Sequence, residues 1–362
     1  MKILHFIYDH AGNPWLGGGG AVRADEIYKR LAVRHDITVI TGMYPGAEDY
    51  ITPEGVRYKF LGASRNSYLA SNLCYALKAA AYLHKKSAEA DVIVEDFIPW
   101  DPVFSFLQAS KKPVVLQLHH RETNLFSRFS IFGPPFAFLQ GIYPHFYKNI
   151  IAVSQRTAEH FRLKKAAIIS NGIDEALIGM LQPEEDYILF TGRLHIFNKG
   201  LDTLLAAAPA INSKILIAGK GPDEEKIRTA IKNKRLEEKV ILTGFLSESE
   251  KRDALARAKL FVLPSRYEGQ GIVVLEAAAC GKPVIVSDIP ELAFAVEGGF
   301  GVAFKKEDPQ DLARKVNMLL EDPPARGGMA EKGRAFAAGY TWEKITEEYE
   351  RYLSKVALSL PR

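Results

Sequence analysis

The sequence predicts an α/β protein made of two doubly wound parallel-sheet domains. Short apolar segments alternate with helical patterns along nearly the whole chain. Most of these segments are apolar on both faces, which is typical of parallel strands that helices cover on two sides. The alternation forms two successive series, and two series predict two domains. With 362 residues, 47% of them hydrophobic, the chain is long enough to build a core in each domain.

The first series of strands and helices occupies residues 1–177, and the second occupies residues 178–341. The boundary is the non-periodic stretch Ile178–Asp186, whose polar residues are typical of a linker. In the first series we predict strands at Ile3–Tyr8, Ile37–Thr41, Val56–Leu61, Val92–Glu95, Val114–Leu118, Ile150–Val153 and Ala167–Ser170, with helices near Ala21–Arg34, Tyr68–Lys86 and Thr157–Arg162. In the second series we predict strands at Tyr187–Thr191, Lys214–Ala218, Val240–Thr243, Leu260–Leu263, Val284–Ser287 and Val302–Phe304.

A last helix is predicted at residues 342–358. It carries Ile345, Tyr349, Tyr352 and Val356 at helical spacing, so one of its faces must be buried. The helix either completes the second domain or crosses back to join the first.

The composition excludes several classes of protein. A net charge of +4 and a pI near 8.8 suit an anionic ligand or an acidic membrane surface, but are too weakly basic to predict nucleic-acid binding. Cys74 and Cys280 both lie in apolar helical patterns, so we expect reduced core cysteines and a cytoplasmic protein. Met1 leads directly into a predicted strand, so we expect no signal peptide. No apolar run approaches the roughly 18 residues of a membrane span.

The stretch 264–277 is the most informative of the chain. It follows a predicted strand with a loop that contains Glu268 and two glycines, and then enters a helix that carries Glu276. The first N–H groups of a helix lack internal partners and attract anions. Carboxylates beside an anion site suit a ligand with phosphate at one end and sugar hydroxyls at the other.

The run Pro264-Ser265…Glu268-Gly269…Gly271…Leu275-Glu276-Ala277 resembles the signature of retaining glycosyltransferases with two facing Rossmann-like domains, the GT-B fold, in particular glycosyltransferase family 4 (group 1). The resemblance covers the second domain almost entirely and the first more loosely. It implies transfer of a sugar from a nucleoside-diphosphate sugar to an acceptor hydroxyl. Further segments that match the family in the right order are Ser170–Asp174, Thr191–Leu194, Lys199–Asp202, Gly219–Pro222 and Val240–Phe245.

Arg193 and Lys199 are the predicted catalytic cations. A departing diphosphate gains negative charge in the transition state, and cations placed there stabilise the transition state more than the ground state. Both residues follow the first strand of the second domain. The alternative is that they are solvated charges at the start of a helix.

The resemblance assigns the remaining donor contacts. Glu268 is a predicted catalytic residue and faces the transferred sugar together with Gly269, Gln270 and Gly271. Glu276 accepts hydrogen bonds from the ribose, unless it is only an exposed helix acid. Gly219 and Gly221 form a Gly-x-Gly-Pro turn in the donor domain. The family often has Phe where this chain has Gln270, so the donor sugar stays open.

The glycine-rich loop Trp15–Gly20 follows the first predicted strand. It fails the dinucleotide fingerprint because Val22 and Arg23 stand where the third glycine is required, which argues against a dehydrogenase. In the family this loop approaches the donor phosphates and the acceptor, which assigns donor binding to Gly18 and Gly19. The alternative is a flexible surface loop.

Polar side chains follow two strands of the first domain. His119 aligns with the family histidine that contacts the donor sugar and is a predicted catalytic residue, unless this histidine at the end of a strand is purely structural. His120 is a weaker acceptor-side candidate. Glu95 and Asp96 either orient an acceptor hydroxyl or have a capping role in the loop. No histidine or cysteine has neighbours at metal-ligand spacing, so we expect neither a metal nor another cofactor.

The segment from Phe126 to Tyr147 is rich in aromatic residues, with Arg121, Arg128 and Lys148 nearby. It is either part of the helix core or a peripheral contact with the inner membrane face, beside a lipid-linked acceptor. The acceptor itself, a glycan or a lipid-linked molecule, is not identified by the sequence.

Two other functions stay open. A nucleotide-sugar epimerase or a phosphorylase on the same fold would use the same donor site, although a phosphorylase would ordinarily need a cofactor lysine. A non-catalytic subunit that binds nucleotide sugars is the third possibility. An epimerase converts the donor to an epimer when the donor is incubated alone, whereas a transferase releases nucleotide when the acceptor is added.

Overall fold

The computed structural model describes residues 1–13, 18–63, 68–121, 133–180 and 182–359, without the side chain of Leu69. The chain divides into two compact units. The first is Met1–Gly172 together with Trp342–Arg362, and the second is Ile173–Thr341. Each unit contains its own sheet and its own hydrophobic core.

The first unit contains an eight-stranded sheet in the order β3-β4-β2-β1-β5-β6-β7-β8. Its strands are parallel except for β3, which pairs antiparallel with β4. They are β1 (Lys2–Phe6), β2 (Asp36–Gly42), β3 (Tyr50–Ile51), β4 (Arg57–Leu61), β5 (Val92–Asp96), β6 (Val114–Leu118), β7 (Asn149–Ala152) and β8 (Ala167–Ile168). The helices among them are α1 (Gly19–Leu31), α2 (Tyr68–Lys86), α3 (Gly133–Ile142) and α4 (Gln155–His160).

The second unit contains a six-stranded sheet, all parallel, in the order β11-β10-β9-β12-β13-β14. Its strands are β9 (Tyr187–Thr191), β10 (Lys214–Ala218), β11 (Val240–Gly244), β12 (Leu260–Leu263), β13 (Val284–Ser287) and β14 (Gly301–Phe304). Its helices are α5 (Ile196–Lys199), α6 (Leu201–Ala207), α7 (Glu224–Asn233), α8 (Glu248–Arg257), α9 (Ile272–Ala279), α10 (Ala293–Glu297), α11 (Pro309–Leu320) and α12 (Pro323–Ala337).

Both sheets reverse their strand order at one point. In the first unit the reversal lies between β1 and β5, and in the second it lies between β9 and β12. Open parallel sheets bind ligands outside the carboxyl ends of the strands at such a point. The loops that follow these four strands are therefore where each unit can form a binding site.

The C-terminal helix α13 (Trp342–Leu358) belongs to the first unit. Ile345, Tyr349, Leu353 and Val356 are buried in the same core as Ile27, Tyr28 and Leu31 of α1. Ion pairs continue this contact at the surface, because Arg30 contacts Glu343 at 2.8 Å and Arg34 contacts Glu350 at 2.6 Å. The apolar face expected from the sequence is thus buried against α1.

The division between the units falls after Gly172, earlier than the boundary that the sequence predicted at residue 177. Ile173 and Leu177 are buried in the core of the second unit. The N–H of Ile173 donates to the carbonyl of Tyr340 at 2.8 Å, which ties this strand-like stretch to the end of the second unit. The polar residues after Ile178 therefore lie within the second unit, just before β9, and do not mark the division between the two units.

Other differences from the sequence prediction are local. Strand β3 was missed, since Tyr50 and Ile51 are exposed and too few to form a pattern. Cys280 is buried as expected, whereas Cys74 is only half-buried. In the described part of the chain, no helix combines the length and apolar character needed to cross a bilayer.

Replacing Tyr349 with alanine is expected to destabilise the protein by about 3–5 kcal/mol, because a fully buried ring is removed from the core between α13 and α1. A urea titration measures this as the free energy of unfolding. Arg351→Ala on the exposed side of the same helix is the control, with an expected change below about 0.5 kcal/mol. Equal effects of the two substitutions would contradict the burial of this face.

Candidate functional site

Lys199 and Glu268, two of the predicted catalytic residues, are in direct contact. The Nζ atom of Lys199, at the end of α5, donates to Oε1 of Glu268 at 2.6 Å. The hydroxyl of Ser265 donates to the same oxygen at 2.6 Å. Only 21% of the lysine side chain and 9% of the glutamate side chain are exposed, so the structure holds both charges in a fixed geometry.

Gly200 makes this contact possible. It adopts a left-handed conformation with φ of +61°, and a Cβ added there would lie 1.9 Å from the carbonyl oxygen of Pro264. Any other residue would push the end of α5 away from the loop after β12. Steric constraint therefore explains why the motif has a glycine directly after Lys199.

Arg266 is a residue to which the sequence analysis assigned no role. It is 8% exposed and donates to both carboxylate oxygens of Asp202, each at 2.8 Å, and to the carbonyl of Phe197 at 2.9 Å. It also contacts Glu307. Hydrogen bonds to Asp202 and Glu307 raise the pKa of Arg266 above its ordinary value despite its burial. The guanidinium thus fixes the loop after β12 to α5 and α6.

Two predicted donor-binding glycines have a packing role. A Cβ on Gly219 would lie 1.9 Å from the carbonyl oxygen of Gly192, and one on Gly221 would lie 2.3 Å from that of Leu194. The loops after β9 and β10 therefore touch through their backbones. This contact places Arg193, which is exposed, at the carboxyl end of β9. Contact of these glycines with a donor stays a prediction.

Glu276 is not the exposed helix acid that the sequence left as an alternative. Only 13% of its side chain is exposed, and its Oε1 accepts from Nζ of Lys251 on α8 at 3.0 Å. Its Oε2 is buried and has no hydrogen-bond partner among the described residues. Lys251, which sequence reasoning missed, orients one oxygen and leaves the other available as an acceptor. Burial opposes the charge of Lys251, but Glu276 and Glu248 outweigh it and raise its pKa.

Gly269, Gln270 and Gly271 lead from Glu268 into α9. Gly271 has a φ of +74°, and a Cβ there would lie 2.8 Å from the side chain of Leu292. Gln270 is only 8% exposed, so little of it is accessible to solvent. The predicted contacts of these three residues with a donor stay predictions.

In the first unit, His119 is bonded to Asp96. Its Nε2 lies 2.7 Å from Oδ2 of Asp96, and His5 and Gln117 contact the other oxygen at 2.9 and 2.8 Å. Burial alone would raise the pKa of Asp96, but the charges and hydrogen bonds of His119 and His5 hold it well below its ordinary value. Asp96 thus orients a half-buried histidine, while His120 is exposed.

Glu95 has the structural role that the sequence left as an alternative. It is fully buried and accepts hydrogen bonds from the hydroxyls of Tyr143 and Tyr147 at 2.6 and 2.7 Å. The backbone N–H groups of Val103 and Ser105 donate to it at 3.0 Å each, as does the Ser105 hydroxyl. Its capacity to accept is used, so it is not available to orient an acceptor hydroxyl.

The glycine-rich loop is described only from Gly18, because residues 14–17 lie outside the described part of the chain. Helix α1 begins at Gly19, and the N–H of Gly18 donates to Oδ2 of Asp9 at 3.1 Å. Burial raises the pKa of Asp9 to about 7. Sequence reasoning missed Asp9, although it directly follows a buried strand.

The aromatic segment divides between core and surface. Tyr143 and Tyr147 are buried, whereas 68% of Phe138 and 56% of Phe146 are exposed. The candidates at residues 122–132, including Phe126, Arg128 and Phe129, lie outside the described residues. In the described ranges, no group of three or more His, Cys, Asp or Glu residues is arranged to hold a metal ion.

Arg266→Ala is expected to lower the free energy of unfolding by about 2–4 kcal/mol, because the change removes several charge-assisted hydrogen bonds from a buried guanidinium. Urea unfolding followed by circular dichroism is the measurement. The matched control is Arg314→Ala, which removes a surface ion pair with Asp311 on one helix and should change stability by at most about 1 kcal/mol. If both variants lose the same amount, Arg266 does not hold the loop.

Comparisons with known families match both units. Residues 179–336 match the family model described as glycosyl transferases group 1, and residues 17–177 match that of glycosyltransferase family 4. The chain is 32% identical over 183 residues to an uncharacterised glycosyltransferase of Methanocaldococcus jannaschii, covering 50% of this chain and 51% of that protein. It is 30% identical over 233 residues to the GDP-mannose:cellobiosyl-diphosphopolyprenol alpha-mannosyltransferase of Xanthomonas oryzae, covering 60% of each. The chain thus spans about half the length of the curated relatives that it matches.

Solved structures show the same fold along the whole chain. Sucrose-phosphate synthase from Thermosynechococcus elongatus superposes with a TM-score of 0.82 at 20% identity, covering 98% of this chain and 99% of that one. HepE of Anabaena, solved with UDP and glucose, superposes with a TM-score of 0.75 at 20% identity, covering 98% and 100%. The order of the sequence motifs agrees with the two Rossmann-like sheets, with these solved structures and with the two matched family models. The chain belongs to the group 1 glycosyltransferases of the GT-B fold.

Proposed function

We propose that the chain is a retaining glycosyltransferase that moves a sugar from a nucleoside-diphosphate sugar to an acceptor hydroxyl without a metal ion. The observation that carries the proposal is the contact of Lys199 with Glu268 beside the exposed Arg193. These residues follow β9 and β12, where the strand order of the second sheet reverses. That edge carries two cations, Arg193 and Lys199, and the carboxylate of Glu268. These groups suit a ligand that carries both phosphates and hydroxyls.

In this proposal the cations act on the leaving group. The bond between the anomeric carbon and the departing diphosphate oxygen breaks, and the acceptor oxygen bonds to the same face of that carbon. The acceptor proton passes to the departing phosphate, so no protein nucleophile is required. Arg193 and Lys199 would stabilise the charge that develops on the diphosphate, because fixed cations need no reorganisation during the reaction. Glu268 keeps the Lys199 ammonium in place.

Glu276 would bind the nucleoside. Its free Oε2 suits a ribose diol, and Lys251 holds the other oxygen at 3.0 Å. The structure of HepE with UDP-glucose and the GDP-mannose named for the Xanthomonas relative support a nucleotide-sugar donor. Because these two names differ in base and sugar, the proposal leaves both open.

His119 would contact the donor sugar from the first unit, as the family motif implies. Asp96 is the residue that orients it, since both oxygens of this carboxylate are engaged by His5, Gln117 and His119. A peripheral contact with an anionic membrane surface is part of the proposal, supported by the exposed rings of Phe138 and Phe146. Co-sedimentation with anionic vesicles tests it.

The donor is identified by a thermal-shift screen over uridine, guanosine and adenosine diphosphates and their sugars. A ligand at about 100 times its Kd stabilises the folded state by roughly 2.7 kcal/mol. Incubation of that donor alone separates the alternatives, since an epimerase converts it to an epimer. We expect no epimer, and release of nucleotide that increases with added acceptor.

Lys199→Ala is expected to lower turnover by about 100- to 1,000-fold, which corresponds to the roughly 3–4 kcal/mol lost with one transition-state donor. The measurement is nucleotide release from the donor found in the screen. Lys226→Ala, which removes an exposed lysine of α7 that pairs with Asp223, is the matched control and should leave turnover unchanged. Full activity of the Lys199 variant would refute the assignment.

Glu276→Gln is expected to weaken binding of the nucleoside diphosphate roughly 10- to 100-fold, since a hydrogen bond to a charged group contributes about 1.5–3 kcal/mol. Calorimetry with the nucleotide and its 2′,3′-dideoxy analogue is the measurement. The Glu276→Gln variant should bind the nucleotide and the dideoxy analogue with equal affinity. The contact is already lost in the variant, so removal of the ribose hydroxyls costs nothing more. Glu248→Gln, which removes the other carboxylate that Lys251 contacts, is the control. Additive losses would contradict contact between Glu276 and the ribose.

A further inference from the structure

Four carboxylates lie at or near the carboxyl ends of β1 and β5 in the first unit. They are Asp9, Glu95, Asp96 and Asp101. Glu95 is saturated by tyrosine, serine and backbone donors, and each oxygen of Asp96 has a partner among His5, Gln117 and His119. Because buried polar groups in proteins almost always find partners, the remaining two carboxylates need an explanation.

Asp9 and Asp101 each keep one oxygen without a partner. Oδ2 of Asp9 accepts from Gly18, but its Oδ1 is buried and has no hydrogen-bond partner among the described residues. Asp101 is 3% exposed, and its Oδ2 is likewise buried without a hydrogen-bond partner among the described residues. Burial and the charges of Glu95, Asp9 and Asp96 raise the pKa of Asp101 well above its ordinary value. The fold retains two carboxylates that cost stability, which is typical of binding residues.

Polar and aromatic side chains accompany them. The ring of Tyr8, which precedes Asp9, packs edge-on against Tyr68 with centroids 6.1 Å apart. Trp100, which precedes Asp101, donates its indole N–H to the hydroxyl of Tyr68 at 2.9 Å. One turn further along α2, the fully buried Asn72 has a side-chain oxygen without a partner among the described residues. Aromatic rings beside hydrogen-bond acceptors suit a molecule with both C–H faces and hydroxyls.

Asp9 borders the site of His119. A Cβ added to Gly20 would lie 3.5 Å from Nε2 of His119 and 3.7 Å from Oδ2 of Asp9. The histidine and the carboxylate therefore adjoin the same small space at the start of α1. A hydroxyl held by Asp9 would lie close to the histidine that the motif assigns to the donor sugar.

We propose that Asp9 and Asp101 bind hydroxyl groups of the acceptor, and that the acceptor end bound here is a neutral carbohydrate. This inference rests on the proposed glycosyl transfer. Unpartnered acceptor atoms require a ligand that donates hydrogen bonds, and sugar hydroxyls do so. A phosphate or carboxylate at this position supplies few hydrogen-bond donors and would leave these oxygens without a partner. Asp9 and Asp101 thus select against anionic acceptor groups.

The test measures sugar binding to the full chain by ligand-observed NMR. The probes are methyl α-D-glucopyranoside and methyl α-D-mannopyranoside, with glucose 6-phosphate as the anionic comparison. We expect at least one neutral glycoside to bind with a Kd in the millimolar range, and glucose 6-phosphate to bind more weakly. Asp9→Asn and Asp101→Asn should each weaken binding of the neutral glycoside about tenfold, because each change replaces one acceptor oxygen with an amide nitrogen that cannot accept a hydrogen bond.

Asp91→Asn is the matched control, since it makes the same change at an exposed position just before β5 and should bind the glycoside like the unmodified chain. Equal binding by all three variants, preference for the phosphate, or no binding of either neutral glycoside would overturn the inference. Donor stabilisation in the thermal-shift screen is recorded on the same samples. If donors bind and glycosides do not, only this inference fails; if no donor binds, the proposed transfer fails.

The melting temperature gives a second readout, because it separates a carboxyl group that costs stability from one that stabilises the fold. The pKa of Asp9 is raised to about 7, so its destabilising effect is absent below its unfolded value near pH 4 and grows as the pH rises toward 7. The groups that face it are the backbone N–H groups of Gly18, Ala21 and His10, the carboxyl groups of Asp96 and Asp101, the hydroxyl of Tyr8 and the imidazole of His119. Asp9→Asn should therefore gain in melting temperature over the unmodified chain between pH 4 and pH 7. A lower melting temperature at every pH would show that Asp9 is structural and would overturn the inference.

Discussion

The reversal of strand order in each parallel sheet is the constraint on which the candidate sites depend. At a reversal, two neighbouring strands send their connections to opposite faces of the sheet and leave a crevice at their carboxyl ends. The loops after β9 and β12 meet this condition in the second unit, and those after β1 and β5 meet it in the first. Most of the residues that carry the chemistry follow these four strands, whereas His119 follows β6. Steric and ionic contacts then fix them. Gly200 lets α5 approach Pro264, and Arg266 holds the same loop through Asp202.

The two crevices differ in charge. In the second unit, Arg193 and Lys199 supply cations, and each nearby glutamate is paired with a lysine. In the first unit, carboxylates outnumber the histidines that contact them, and Asp9 and Asp101 are left with unpartnered oxygens. The difference suits ligands of opposite character, a diphosphate in one unit and hydroxyl donors in the other.

Much of this arrangement could be predicted from the sequence, and the remainder could not for identifiable reasons. The strands of the second unit follow apolar runs bounded by glycine and polar residues, so their limits were nearly correct. The motif predicted Lys199 and Glu268, and the structure joins them at 2.6 Å. Pairing across long separations was not visible, however. Lys251 contacts Glu276 from another helix, and Glu95 is saturated by Tyr143 and Tyr147, 48 and 52 residues away.

The central claim is that Lys199 contacts the diphosphate of a nucleotide-sugar donor. Calorimetry with a nucleoside diphosphate and the matching monophosphate, on the unmodified chain and on Lys199→Ala, tests it most directly. The account predicts that the substitution weakens binding of the diphosphate about tenfold or more and leaves the monophosphate nearly unchanged, because only the second phosphate would reach the ammonium. Equal weakening of both nucleotides, or no weakening of either, would contradict the account.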